Sequence, residues 1–178
     1  DVDGGRILID GHDLRSLALE DLRRQIIVVD QDTFVFNASI RENIRYARPD
    51  ALNSDIEGAA CAAGLSDLID RLPQGLDTPV GERGRALSAG ERQRIAIARA
   101  FLTDPAVLVL DEATASLDAA TEAQVIAGYE AVMRDRTTLL ITHRAELARI
   151  ADRVVVLEGG QAARAESAIL AEHPSARA

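Results

Sequence analysis

The sequence predicts an α/β fold in which a parallel sheet is flanked by helices and carries a helical insertion. Short apolar or β-branched runs, typical of buried strands, occur as IIVVD at 26–30, AVLVLD at 106–111 and TTLLIT at 137–142. Helical patterns separate them, and a long helical stretch lies between about residues 40 and 101. A chain of 178 residues, 47% hydrophobic and 28% charged, is long enough for one domain with its own core.

The first 101 residues contain two strands and then mainly helices. RILID at 6–10 predicts a strand bounded by glycines, and LRSLALEDLRRQ at 14–25 predicts one short amphipathic helix before the strand at 26–30. The helical stretch consists of IRENIRYA, SDIEGAACAAG, LSDLIDRL and a long helix from Ser88, interrupted by the loop PQGLDTPVGERG. This stretch is predicted to be an insertion between strands of the sheet.

The remainder alternates regularly between strands and helices. The strand at 106–111 is followed by the helix TEAQVIAGYEAVMRD, the strand at 137–142, the short helix AELARIA and the strand RVVVLE. This spacing predicts parallel βαβ units, which place ligands at the carboxyl ends of the strands. The periodicity is lost after Gly160, so residues 161–178 are predicted to be a C-terminal tail.

Composition excludes several classes of protein. The net charge of −9 disfavours a nucleic-acid surface, which needs clustered cations. No apolar run approaches the roughly 20 residues that cross a bilayer. Cys61 is the single cysteine, which suggests a reducing compartment and a small buried apolar role for its side chain.

Two adjacent carboxylates, Asp111 and Glu112, follow the apolar strand at 106–110. A hard divalent cation such as Mg²⁺ needs one carboxylate oxygen, and a second carboxylate can polarise an attacking water. We therefore assign Asp111 to Mg²⁺ and Glu112 to water activation. Taken alone, the pair could equally cap the next helix, because acidic residues are favoured in a first helical turn.

Ser88 and Glu91 fit the S-x-x-E capping box at the start of the long helix. The same first turn, with its free amides and the small Gly90, can also bind an anion. Gln31 and His143 follow two further strands and would reach the same edge of the sheet. Single residues of these types are more often structural, so the prediction rests on their occurring together.

The chain contains no lysine, since all 20 of its basic residues are arginine. The phosphate loop G-x-x-x-x-G-K-[ST], whose lysine reaches the β- and γ-phosphates, therefore cannot lie within these residues. The sequence predicts only part of a phosphate-handling site.

Five motifs in order resemble the nucleotide-binding domain of an ATP-binding-cassette (ABC) transporter. QDTFVFNASIRENI, TPVGERG, LSAGERQRIAIARAF, VLVLDEATASLD and ITHR resemble its Q-loop, X-loop, signature, Walker B with D-loop, and H-loop. TPVGERG and FVFNASIRENI are most similar to the exporter type. The resemblance implies a P-loop NTPase-type parallel sheet flanked by helices. Residues 1–160 would be a partial ATPase domain lacking Walker A, with a helical subdomain at about 40–101.

The resemblance also implies a function, which is ATP binding and hydrolysis that powers export of a substrate across a membrane. Its cofactors would be ATP and Mg²⁺. Its partners would be a second ABC ATPase domain, as a homo- or heterodimer, and an exporter's transmembrane domain that holds it at the cytoplasmic face of the membrane. No nucleic acid is expected. ATPase activity is expected of the full-length protein, whereas this chain alone is expected to be inactive for want of the Walker A lysine.

The resemblance assigns each candidate residue to one of two composite sites. Glu112, His143 and Gln31 would be catalytic in their own domain, and Asp111 and Gln31 would bind the metal. Gln31 would also sense the transmembrane domain, and Glu82 would lie near its coupling helices. The nucleotide bound by the partner domain would be contacted by Ser88, Ala89, Gly90, Glu91 and Asp118.

The sequence departs from the family pattern in its signature, which reads LSAGE where LSGGQ is usual. A carboxylate near an incoming γ-phosphate would repel it unless Glu91 is turned into its capping bond. Two alternative functions are a degenerate or truncated domain that acts as a dimerisation or regulatory module, and a non-transport ABC ATPase of the DNA-repair or translation type. Upstream sequence and ATP turnover would discriminate between them.

Overall fold

A computed structural model of the chain describes residues 2–30, 32–111 and 119–167. Its strands are β1 Leu8–Ile9, β2 His12–Asp13, β3 Ile26–Val29, β4 Val107–Asp111, β5 Thr137–Ile141, β6 Arg153–Glu158 and β7 Gln161–Ser167. Its helices are α1 Leu19–Gln25, α2 Ile40–Arg45, α3 Asn53–Ala62, α4 Ser66–Arg71, α5 Ala89–Thr103, α6 Ala119–Met133 and α7 Ala145–Ala148. Three short 3₁₀ turns lie at Leu14–Ser16, Gly75–Asp77 and Glu82–Gly84.

The central sheet has the strand order β3-β4-β5 and is parallel throughout, as predicted. Successive side chains alternate between its two faces. Val29, Leu108 and Leu110 on one face are fully or nearly fully buried and belong to the same core as Ile95 and Ile97 of α5. The opposite face leaves Val28, Leu139 and Ile141 exposed among the described residues. Helices therefore cover only one face of the described sheet.

The insertion between β3 and β4 is helical, which confirms the predicted character of residues 40 to 101. Helices α2, α3 and α5 pack together around Ile40, Ile44, Ile56 and Ala60, all of which are inaccessible to solvent. Helix α6 approaches α5 closely at Gly128, where a Cβ atom would lie 3.2 Å from Ile97 Cδ1. The insertion thus shares one continuous core with the sheet.

The segment at 14–25 is not the single helix that its periodicity predicts. The Asp13 carboxylate accepts from the Arg15 amide at 3.0 Å and Ser16 Oγ donates to the Asp13 carbonyl at 2.7 Å, which closes a 3₁₀ turn. The chain is extended at Leu17 and Ala18 before α1 begins. Local side-chain bonds to the backbone therefore divide the helix.

The last two described strands also differ from the prediction. β6 does not continue the parallel sheet, but pairs antiparallel with β7. The two are joined at Gly159 and Gly160, whose φ angles of 57° and 79° suit a tight hairpin. This glycine pair was the signal for β7, which periodicity missed. A cleft of about 960 Å³ separates β6 from β5.

The prediction that Cys61 is buried is wrong. The side chain lies on the exposed face of α3, while its neighbours Ala59 and Ala60 face the core. The small residues around it made the two faces of this helix hard to tell apart in the sequence.

Candidate functional site

The carboxyl ends of the three parallel strands form one edge of the central sheet. β4 ends at Asp111, whose register partner in β5 is Ile141, and Val29 at the end of β3 is paired with Leu110. His143 follows β5 by two residues. Asp111 is half-buried and His143 is exposed. The structure thus brings Asp111 and His143 to the same edge of the sheet.

Three predicted site residues, Gln31, Glu112 and Asp118, lie outside the described residues. The strand that precedes Gln31 and the strand that precedes Glu112 are adjacent and parallel. The roles of the three residues remain predictions.

The start of α5 is the second part of the candidate site. Ser88 is the N-cap, its Oγ accepts from the Glu91 amide at 3.2 Å, and the Glu91 carboxylate accepts from the Ser88 amide at 2.8 Å. The predicted capping box is therefore confirmed. Ser88 and Ala89 are exposed, and Gly90 is buried. The amides of this first turn, together with the positive end of the helix dipole, suit an anion.

The Glu91 carboxylate has two hydrogen-bonding partners that fix its orientation. Oε2 is occupied by the Ser88 amide, and Oε1 accepts from Arg71 Nη2 of α4 at 3.4 Å. The Glu91 side chain is only 15% exposed, whereas that of Arg71 is 69% exposed. The carboxylate is thus turned into its cap and paired with a cation.

Residues 32–39, called the Q segment below, run from β3 to α2 along the side of α5. Thr33 Oγ1 donates to Gln93 Oε1 at 3.0 Å, and the Phe34 carbonyl accepts from Arg99 Nη1 at 2.8 Å. Asn43, inaccessible to solvent, accepts from the Phe36 amide at 2.8 Å. Side chains of α5 and α2 therefore hold this segment at several points.

Phe34 and Phe36 of the Q segment form an aromatic cluster with Tyr46, which directly follows α2. The Phe34 and Phe36 rings meet edge to face with centroids 4.9 Å apart, and the Phe36 and Tyr46 centroids are 4.5 Å apart. Phe34 is 60% exposed and Tyr46 is 65% exposed. Clusters of exposed aromatic side chains are typical of protein interfaces.

The loop at 78–84 is joined to the Q segment by backbone hydrogen bonds. The Val80 amide donates to the Ala38 carbonyl at 3.0 Å, and Ser39 forms a bridge with Pro79. Gly84, with φ of 65°, lies where a Cβ atom would come within 3.2 Å of Val35. Predicted site residue Glu82 is exposed on this loop. The signature helix, the Q segment and the 78–84 loop are therefore one connected surface.

Arg99 is a half-buried cation between α5, α2 and the Q segment. Its guanidinium donates to the Q segment and α2, with Nε donating to the Asn43 carbonyl at 2.8 Å and Nη2 to Asn43 Oδ1 at 3.1 Å. Burial lowers the pKa of Arg99 to about 10, which still leaves the guanidinium charged at neutral pH.

Sequence reasoning missed Asn43, Gln93, Arg99 and Tyr129, which organise the surroundings of the candidate site. A signal was present for Gln93, because it lies four residues before Ile97 and therefore on the core face of α5. A polar residue at such a position is expected to have a specific partner.

The described residues contain neither a metal cluster nor a membrane span. No group of three or more His, Cys, Asp or Glu side chains within 2–30, 32–111 and 119–167 could hold a metal ion. No helix in these ranges combines the length and apolar character needed to cross a membrane.

Comparisons with known proteins agree with this architecture. A relative named ATP-dependent lipid A-core flippase, from Syntrophus aciditrophicus (strain SB), is 51% identical over 161 residues, which are 90% of this chain and 27% of that protein. The Beta-(1→2)glucan export ATP-binding/permease protein NdvA of Rhodopseudomonas palustris (strain BisB5) is 50% identical, with the same coverage of 90% and 27%. The chain thus spans about a quarter of the length of these relatives.

A solved structure described as a bacterial Atm1-family ABC exporter with ATP bound has a TM-score of 0.85 and 43% identity, over 94% of this chain and 29% of that one. The sheet and its flanking helices are therefore those of the P-loop NTPase-type ATPase domain of ABC exporters. A family model described as ABC transporter matches residues 1–115. The chain belongs to the ABC transporter family.

Proposed function

We propose that this chain is part of the ATP-binding and ATP-hydrolysing domain of a membrane exporter. The observation that supports this most directly is the pairing of two features. Asp111 ends β4 and His143 follows β5 at the carboxyl edge of the sheet, and the same chain presents a capped helix start at Ser88. Each feature suits phosphate and Mg²⁺ chemistry, and the two relatives described above are named as a lipid A-core flippase and a glucan export protein.

The residues present fit ATP and Mg²⁺ in part. Asp111 is a half-buried carboxylate at a strand end and would hold Mg²⁺ together with Gln31. Mg²⁺ would neutralise charge on the phosphate oxygens. Glu112 would accept a proton from the attacking water, and His143 would donate to a phosphate oxygen. The phosphate loop must come from other residues, because the chain has no lysine.

The signature turn would serve a second copy of the domain or a paired homologue. Ser88, Ala89 and Gly90 would contact the nucleotide of that partner, with Glu91 held as their cap and Asp118 nearby. In such a dimer each nucleotide would be sandwiched between two domains. The exposure of Ser88 and Ala89 supports this arrangement.

A transmembrane domain is the second partner that we propose. The aromatic surface of Phe34, Phe36 and Tyr46 offers an apolar docking area, and exposed Glu82 lies on the adjoining loop. Docking there would place the domain at the cytoplasmic face of a membrane and would connect the Q segment to the transport path.

The decisive test is ATP turnover by the full-length protein in detergent or liposomes. Glu112→Gln should reduce turnover by about a hundredfold or more, since the proton acceptor is lost. Glu130→Gln, which removes an exposed carboxylate from α6, should leave turnover unchanged. Equal turnover in the wild type and Glu112→Gln would contradict the proposal and favour a regulatory module. The 178-residue chain alone should show no turnover.

Glu91→Gln should change that turnover by no more than about twofold, because glutamine also completes a capping box. The existing carboxylate is turned into its cap and paired with Arg71, so its removal should relieve little repulsion. Glu42→Gln, in the second capping box at Ser39, is the matched control. A large rise with Glu91→Gln alone would mean that the acidic signature is a handicap.

A further inference from the structure

We infer that Gln93 is a positioning residue that fixes the backbone on both sides of Gln31 to the signature helix α5. The inference rests on the proposed function, since it gives Gln31 the role of a Mg²⁺ ligand. Gln93 itself would touch neither nucleotide nor metal. It would act by holding the residues that precede and follow Gln31 in the sequence.

The amide of Gln93 uses its acceptor and both its donors. Oε1 accepts from Thr33 Oγ1 at 3.0 Å, and Nε2 donates to Tyr129 Oη at 2.7 Å and to the Asp30 carbonyl at 3.4 Å. Thr33 and Asp30 lie on opposite sides of Gln31. A single side chain of α5 thus holds the residue before Gln31 and the second residue after it.

The centre of this network is buried, whereas Thr33 is half-buried and Asp30 is exposed. Gln93 is 3% exposed and Tyr129 is 1% exposed. When a buried amide loses one hydrogen-bond partner, the atom left unpaired still costs free energy, because it remains removed from water. Single substitutions should therefore disturb this network. Tyr129 belongs to α6, and Asp30 directly follows β3, so this one amide connects α5 to α6 and to the chain that leaves β3.

The position of Gln93 along α5 connects the two composite sites. It lies three residues after Gly90, which is about one helical turn from the signature. Any shift of the signature turn along α5 would be transmitted to Asp30 and Thr33 through the same amide. Gln31 and the signature should therefore move together, although they serve different nucleotides.

The first test measures Mg²⁺ dependence of ATP turnover in the full-length protein. Gln93→Leu should raise the Mg²⁺ concentration for half-maximal turnover by about tenfold, as expected when the residues that orient a metal ligand are lost. Gln31→Ala should have a similar effect, and the double variant should be no worse than Gln31→Ala. Additive losses in the double variant would overturn the inference, because Gln93 would then act independently of Gln31.

The second test does not depend on activity. Hydrogen–deuterium exchange of the nucleotide-free full-length protein should speed up about tenfold in residues 30–35 of Gln93→Leu, because their restraint is lost. Tyr129→Phe should show the same change to a lesser degree, and it preserves the shape of the core should Gln93→Leu fail to fold. Gln124→Leu is the control. It removes a glutamine of α6 that accepts from Arg94 at 3.0 Å, and it should leave the exchange of residues 30–35 unchanged.

Unchanged exchange in residues 30–35 of both Gln93→Leu and Tyr129→Phe would overturn the inference directly. Failure of the proposed function gives a different pattern, in which wild-type turnover is absent or insensitive to Glu112→Gln while the exchange of residues 30–35 still responds to Gln93→Leu.

Discussion

Replacing Asn43 with leucine should lower the free energy of unfolding by about 3–5 kcal/mol, because it leaves several backbone groups without partners and removes one acceptor of a half-buried cation. Asn43 Nδ2 donates to the carbonyls of Phe36 at 3.1 Å and Ser39 at 2.9 Å, while Oδ1 accepts from the Phe36 amide and from Arg99. Leucine has the same branching as asparagine, with bulkier end groups, but can make none of these bonds. The expected loss of stability therefore comes mainly from hydrogen bonds that can no longer form.

Arg99 adds to the expected loss, because its Nη2 would lose the Asn43 Oδ1 acceptor. Arg99 would keep the carbonyls of Asn43 and Phe34, whereas the Q segment would lose its direct bonds to the Asn43 side chain. Urea unfolding of the dilute chain, followed by far-UV circular dichroism, measures the change.

Asn53→Leu provides the matched control. Asn53 also accepts from an arginine, Arg45, but it is exposed at the start of α3. Its replacement should cost less than about 1 kcal/mol. Similar midpoints for the two variants would show that the Q segment is held by something other than Asn43.

Strong local patterns predicted much of this fold. Helix α5 and strands β4 and β5 have long or continuous apolar patterns, and the Ser88 capping box is a signal contained within four residues. Because these signals are local, the predicted elements occur in the structure, and only their first and last residues differ. The placement of Asp111 and His143 at one edge could be predicted, because parallel strands have their carboxyl ends at the same edge of the sheet.

The parts that could not be predicted depend on distant partners. Gln93 is bonded to Thr33, which lies 60 residues away, and to Tyr129, which lies 36 residues away. The sequence around Gln93 indicates that its amide needs a partner, but it does not indicate which residues supply the bonds. The same holds for Arg99, whose partner Asn43 is 56 residues away.

The antiparallel pairing of β6 illustrates a different difficulty. Its apolar run VVVL reads equally well as a buried parallel strand or as one arm of a hairpin. Only the glycine pair after it distinguishes the two. In the structure Val155, Val156 and Leu157 are all exposed, which is inconsistent with the interior of a parallel sheet.

The isolated 178-residue chain should self-associate and should bind a dye specific for apolar surface, because one face of its central sheet is open. Val28 of β3 is in register with Val109, which is in register with Leu139 of β5, so these side chains share that face. Val28 is 54% exposed, Leu139 56% and Ile141 43%. Contiguous exposed apolar area of this kind drives association or aggregation.

The edge of β5 adds to this tendency. Within the described residues β5 pairs only with β4, and the cleft of about 960 Å³ lies on its other side. Unpaired amides and carbonyls on a strand edge can pair with another chain. Light scattering against concentration and 1-anilinonaphthalene-8-sulfonate fluorescence would measure the two effects separately.

Substituting threonine for Val28, Leu139 and Ile141 should lower dye fluorescence several-fold and should delay association, since threonine keeps the strand preference but removes apolar surface. The matched control makes the same threonine substitution at three exposed leucines in separate parts of the chain, Leu19, Leu52 and Leu157. Because these do not form one patch, their replacement should have little effect. If instead the unmodified chain stays monomeric, binds no dye and unfolds in one sharp transition, the open face does not determine how the isolated chain behaves.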